Sequence, residues 1–421
     1  MSTDTQQWSL VCHLVTEGKG SVSIVNQAGD KFVCEQGQAG ALSGADISKQ
    51  PLFLGVDNNN APIVMKAEDR SVSTMAQVAA DAFPIYSYRD PQSDFVWFVS
   101  DGEKKTGNDE LNCGTSGSPI IIFKRTETGS AELVKLICMG RGHHVITFTE
   151  PCEQQATMPS RAFVSNLLDG SINVVNNAPG TQGYLDIIET INLCESDKED
   201  GGQMVLPNNA FPHGQVYSPR TGKIYSYNNG YGTVVVLDPI TCAIESRIKM
   251  KVSSNLLMSP DQRFLIGKGA DRKSDANHVV GRLTVIDIDQ GEVVSTLDIP
   301  DVYPSVYRFS PDGTRLYVTT AATGKGVQHD NLNLDSLLVY DATVLPELKL
   351  LKEVNVGVAN CGRRPIAFDN AGQYVFVPNP TDASVTILDS RDDRVIDTIS
   401  IGGAAAEEIN FSFWGGDIYG A

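Results

Sequence analysis

The 421-residue chain has no run of about 18 or more apolar residues, so no membrane-spanning helix is expected. Its opening, MSTDTQQWSL, has no basic segment followed by an apolar one, and no secretory leader is expected in the sequence as it stands. Positive charge is scarce. With 33 Lys and Arg against 51 Asp and Glu, the net charge is −18 and the pI about 4.7. Nucleic acid and anionic membrane would be repelled before contact, which leaves small molecules and proteins as partners. The sequence also lacks any C-x-x-C pair, so neither a zinc site of that spacing nor a dithiol centre is expected. Its eight cysteines stand singly, most in apolar strand-like runs, and read as buried free thiols in a reducing, cytoplasmic compartment. A leader removed before the first residue would instead place the chain in the periplasm or outside the cell. Hydrophobic content of 41% with 20% charged residues suits a globular protein.

What the sequence does contain is a repeat. YSPRTGKIYSY (217–227), MSPDQRFLIGK (258–268), FSPDGTRLYVT (309–319) and FDNAGQYVFVP (368–378) each place a turn after an apolar residue and then a β-rich run. Each is followed by two further strand patterns about an Asp-centred turn, as in GTVVVLDPITCAIESRI and ASVTILDSRDDRVIDTISI. Four strands per unit at a period of roughly 40 to 60 residues predict β-propeller blades. The same template fits residues 142–194 and 83–139. The N-terminus supplies three strands, and EEINFSFWGG near the C-terminus supplies the fourth. The expectation is an all-β, seven-bladed propeller forming a single domain over residues 1–421, its ring closed where N- and C-terminal strands pair in one blade. Residues 37–82 are left as an insertion between the first and second blades, either an extra hairpin or a lid.

The repeat resembles the YVTN family of seven-bladed propellers, through LYVTT (316–320) and YVFVPNPTDASVTILDS (374–390), over about residues 205–402. The resemblance implies the fold and says little about activity, because such propellers host many.

One motif suggests other chemistry. NCGTSGSPI (112–120) looks like the nucleophile loop of chymotrypsin-like enzymes. Such an enzyme needs a barrel before its histidine, whereas the only earlier histidine, His13, has twelve residues in front of it. The motif therefore reads as a loop between the second and third strands of a blade, where Gly and Ser serve the turn.

The six histidines carry more information. His143 and His144 begin one innermost strand and His213 another, while His278 and His329 fall in second-to-third-strand loops and His13 ends a second strand. Each of these positions lies on the same end of its blade. Imidazoles converging there suit copper, iron or zinc. The His-His pair with later histidines resembles the copper propellers of nitrous oxide reductase and thiocyanate dehydrogenase. The chain has too few ligands for their clusters and no cupredoxin domain, so the resemblance implies at most a mononuclear or binuclear site. Candidate ligands are His144, His213, His278 and His329, with His143 turned into the blade because adjacent strand residues point to opposite sides. Arg141, Arg272, Arg363 and Arg364 collect at the same end and suit a small anionic substrate. Tyr303 and Tyr307 either line the same funnel or pack the blades.

Three functions follow. One is an enzyme using a His-bound metal on a small anion. The second is a metal-free lactonase, lyase or cyclase with His144 or His213 as general base. The third is a scaffold that binds a protein partner. No nucleotide cofactor is expected.

Overall fold

The structure, a computed structural model, describes in full residues 88, 90–99, 113, 117–124, 132–142, 145–251, 253–275, 277–322, 330–360, 364, 366, 368, 372–379, 381–382 and 384–400, leaving out 143 and 144. The strands before residue 75, the strand ends at 84–87, 89, 100, 125, 131 and 367, and the strand Glu408–Phe413 are described by backbone pairing alone.

Among the described strands there are eight four-stranded antiparallel sheets. Counted in chain order, the first joins Trp8–Thr16, Lys19–Asn26 and Lys31–Cys34 with the C-terminal Glu408–Phe413, which pairs with Trp8–Thr16 from Leu10↔Phe413 to Val15↔Glu408. The expected sharing of one sheet between the two ends of the chain is thus present. The expected count of seven is corrected to eight, since Leu42–Gly44, Leu52–Val56, Pro62–Lys66 and Ser71–Thr74 form a complete second sheet inside the segment set aside as an insertion. The third to eighth sheets begin at Pro84, Ile146, Pro212, Asn255, Pro304 and Ala367. By contacts the chain divides into two compact units. One comprises Met1–Met75, Ala270–Arg282 and Leu297–Ala421, the other Ala76–Gly269 and Leu283–Thr296.

The middle strands of a sheet are covered on both faces, and for that reason they are buried throughout rather than alternating between buried and exposed. Thr233–Leu237 and Ser384–Asp389 are buried at every residue, whereas the outer strands Lys349–Asn355 and Arg394–Ser400 are exposed at all but one.

The repeated letters have repeated jobs. In S-P-D, Ser259 Oγ donates to Asp261 Oδ1 (2.5 Å) and accepts from Phe264 N (2.9 Å). Ser310 does the same with Asp312 (2.6 Å) and Arg315 N (3.0 Å), closing the first hairpin of each sheet. The Asp at the end of the third strand folds the next turn. Asp238 Oδ1 accepts the N–H groups of Ile240 (2.8 Å) and Thr241 (3.0 Å), and Asp287 Oδ1 accepts that of Asp289 (2.9 Å). Neighbouring sheets within a unit are then latched by side chains reaching into that turn. Arg161 Nη1 donates to the carbonyls of Pro239 (2.6 Å) and Ile240 (2.9 Å) in one unit, and in the other Arg315 Nε donates to Asp393 Oδ2 (3.0 Å).

Four residues of NCGTSGSPI, Asn112 and 114–116, lie outside the described residues, Ser116 included. Its described part is structural. Ser118 starts the third strand of the third sheet, is buried, and donates to Gly140 O (3.1 Å), while Cys113 forms a disulfide with Cys138, their Cα atoms 5.4 Å apart. This corrects the expectation of free thiols for that pair. Cys152, Cys194 and Cys242 are free.

Candidate functional site

The site is built on the loop between the second and third strands of the sixth sheet, Phe264–Asp271 and Val280–Asp287, and on the residues that follow its last strand. The loop sequence DRKSDANH folds as two successive side-chain turns. Asp271 Oδ1 accepts the N–H groups of Lys273 and Ser274 (both 3.0 Å), and its Oδ2 accepts the Ser274 hydroxyl (2.5 Å). These bonds, the hydroxyl first, hold its carboxyl down at about 2. Asp275 Oδ1 then accepts Asn277 N (2.7 Å), and the chain arrives at His278 just before buried Val279.

His278 Nδ1 lies 2.8 Å from Asp301 Oδ1. A carboxylate accepts only, so Nδ1 carries the proton in the neutral ring and Nε2 is left with its lone pair. Nε2 has no hydrogen bond to a described residue, and the imidazole is 48% exposed. The hydrogen bond to Asp301, then its charge, raises the His278 pKa above the usual histidine value.

Asp301 is set with unusual care. Its φ is +53, a left-handed conformation that a residue with a Cβ seldom adopts. Two backbone bonds hold it there, Asp301 N to Val279 O (2.7 Å) and Asn333 N to Asp301 O (2.8 Å), beside a parallel bridge between Val302 and Asn333. The third strand must come close to permit this. A Cβ on Gly281 would lie 2.5 Å from Val302 O. The guanidinium of Arg272 lies over the ring of Tyr303, 5.9 Å from its centroid, and Tyr303 follows Asp301 by two residues in the chain. Across the sheet's outer strands Arg282 binds Asp298 bidentately (2.5 and 2.8 Å).

The structure brings His278 and Arg272 to this one locus. His213, in the first strand of the fifth sheet and in the other unit, has Nδ1 2.7 Å from Ser254 O. Arg141 is engaged by Asp169, which accepts from its main-chain N (2.7 Å) and from Nε (2.8 Å). Arg364, expected to hold an anion, is corrected to a structural clamp, being wholly buried. Nε donates to Pro378 O (2.8 Å), Nη1 to Thr320 O (3.1 Å) and Leu334 O (3.2 Å), and Nη2 to Gly357 O and Asn379 Oδ1 (2.5 Å). Five N–H groups meet five protein oxygens, which leaves none to bind a substrate. Tyr307 is fully buried blade packing. His144, His329 and Arg363, with His13, His143 and Cys361, lie outside the residues whose side chains are described.

The metal expectation finds no support. Among the described residues no three His, Cys, Asp or Glu side chains are grouped so as to hold a metal ion. Asp301 was absent from the sequence reading. Twenty-three residues separate it from His278, and nothing in PDVYPS marks it except an Asp beside Pro at a strand end.

No family model matches the chain, and no curated protein matches it in sequence. Solved structures do resemble it. AztD of Citrobacter koseri is 14% identical with a TM-score of 0.58, over 97% of this chain and 98% of that one. The periplasmic gluconolactonase of Pseudomonas aeruginosa is 15% identical with a TM-score of 0.55, over 88% and 98%. The dihydro-heme d1 dehydrogenase NirN is 11% identical with a TM-score of 0.60, over 95% and 74%. At these identities the likeness shows the fold, a β-propeller, into which the four-stranded antiparallel sheets fit.

Proposed function

We propose that the chain is a metal-independent hydrolase acting on a small lactone or related ester, with His278 as general base. The observation that carries this reading is the 2.8 Å pair of His278 Nδ1 and Asp301 Oδ1, which fixes the tautomer and turns Nε2 outward as an acceptor. Nε2 takes a proton from water, and the water oxygen bonds to the carbonyl carbon. The tetrahedral oxyanion then collapses, the ring C–O bond breaks, and the departing ring oxygen takes the proton back from Nε2. Asp301 stays ionised throughout and stabilises the transient imidazolium. Arg272, held over Tyr303, is the cation for the oxyanion or for a carboxylate on the substrate. Of the structural neighbours, the gluconolactonase supports this substrate class by the activity it is named for. The Cys113–Cys138 disulfide supports an oxidising, exported setting over the cytoplasmic one expected from the cysteine pattern.

The test is hydrolysis of a panel of aldonolactones and aryl esters by metal-depleted protein. Turnover that falls at least about 100-fold in His278→Ala, and that chelation leaves unchanged, is the expected result. Equal turnover in His278→Ala, or loss on chelation, would sink the reading.

A further inference from the structure

A line of polar side chains runs through the apolar contact between the fourth and fifth sheets. On the second strand of the fifth sheet Ser226 and Asn228 are two residues apart and share a face. Ser226 is registered opposite Gln215 of the first strand, and Tyr217 lies two residues beyond Gln215, opposite Ile224. That face packs on the fourth sheet. Tyr217 and Ile224 join Phe163, Ile172 and Val174 in one apolar cluster, and Gln215 Nε2 donates to Phe163 O at 3.0 Å.

Five buried polar atoms on this face have no hydrogen-bond partner among the described residues: Tyr217 OH, Gln215 Oε1, Ser226 Oγ, and both Oδ1 and Nδ2 of Asn228. Ser226 and Asn228 are 0% exposed and Gln215 8%. A buried polar group left unpaired costs about what a lost hydrogen bond costs, so a row of them on one face demands an occupant.

In two other sheets the corresponding asparagine has partners. In the eighth sheet Asn379 holds the position of Asn228. Its Nδ2 donates to Ser384 Oγ (3.0 Å) and Thr386 Oγ1 (2.8 Å), and its Oδ1 accepts from Arg364 (2.5 Å). In the fourth sheet Asn166 Nδ2 is likewise held by Ser171 and Asn173. In the fifth sheet the residue opposite Asn228 is Thr233, whose hydroxyl donates instead to Glu195 Oε1 (2.5 Å), and Val235 stands where the eighth sheet has Thr386. The fifth sheet has the asparagine without those partners.

We propose that this seam is an internal binding site for water, a file of about three or four molecules along the inner two strands of the fifth sheet. The levels from Ile224 to Asn228 span about 13 Å at a strand rise of about 3.3 Å per residue, room for such a file. Its lining suits water. The Tyr and Ser hydroxyls donate or accept, Gln215 Oε1 accepts, the Asn228 amide does both, and no member of the row carries a charge that would select an ion.

The deciding measurement is a crystal structure of the unaltered chain at about 1.5 Å resolution or better, with denaturant midpoints of Ser226→Ala and Asn228→Leu beside it. Ordered waters bridging at least two of the four side chains, with both variants unfolding at lower denaturant than the parent, are the expected results. A seam without water, its side chains turned onto one another, would overturn the proposal. So would variants as stable as the parent or more so, because replacing an unsolvated polar group by an apolar one relieves a penalty. Should either variant fail to fold, the waters in the parent structure decide.

Discussion

Asp301 presents its carboxylate to His278 at 2.8 Å because its backbone is held in a left-handed conformation between Val279 O and Asn333 N. The pair joins a loop inside one sheet to the connection that leaves it. Neither residue would be set by its local sequence alone.

The first prediction concerns pH. His278 should titrate above the ordinary value of about 6.5, and Asp301→Asn should lower it, as read by NMR of the imidazole. A base must be neutral to act, so kcat/KM for the lactone should fall as pH drops below the raised pKa, and the limb should move to lower pH in Asp301→Asn. For stability the sign is opposite. The interaction favours the protonated ring, so its contribution is complete below the unfolded pKa and is lost as pH rises through the folded one.

Gly281→Ala should lower activity without touching a reacting group. Its Cβ would meet Val302 O at 2.5 Å, and the movement needed would carry Asp301 with it. A cost of about 1 to 3 kcal/mol in stability and a raised His278 accessibility to carbethoxylation are expected. Unchanged kinetics would show that the close approach is slack.

Arg364→Lys separates a structural arginine from a substrate-binding one. Lysine has three donors where five are used, and it cannot reproduce the planar fork. Stability should fall by about 3 kcal/mol or more in a denaturant melt, with KM little altered in whatever protein remains folded.

Peptide mapping without reductant should recover Cys113 and Cys138 in one linked fragment. Their bond closes a loop of separation 25, so the Cys113→Ser, Cys138→Ser double variant should lose about 3 kcal/mol.

Tyr317→Phe tests the latch between the seventh and eighth sheets. The hydroxyl donates to Asp393 Oδ1 at 2.6 Å, and its loss would leave that buried carboxylate to Arg315 alone. A loss of about 1 to 3 kcal/mol is expected, read from thermal unfolding.

The repeat was legible because each sheet buries the same positions with the same chemistry. S-P-D closes a first hairpin wherever it occurs, and an Asp ending the third strand folds the next turn. A sequence period therefore determined the all-β class, the strand boundaries from Pro84 onward, and the pairing of the two chain ends. The second sheet escaped notice because its strands, from Leu42–Gly44 to Ser71–Thr74, are only three to five residues long and carry none of those turn letters.

What only tertiary structure decided is which polar residues face solvent and which face each other. Arg272 and Arg364 look alike in the sequence, yet one lies exposed over Tyr303 and the other is spent on main-chain oxygens. His278 reads in the sequence as an imidazole at a blade end, and only the fold sets Asp301 against its Nδ1. Strand and turn preferences are set by neighbours a few residues away and repeat with the chain, so sequence reports them. The partner of a charged side chain is set by packing between distant segments, and a sequence period carries no record of it.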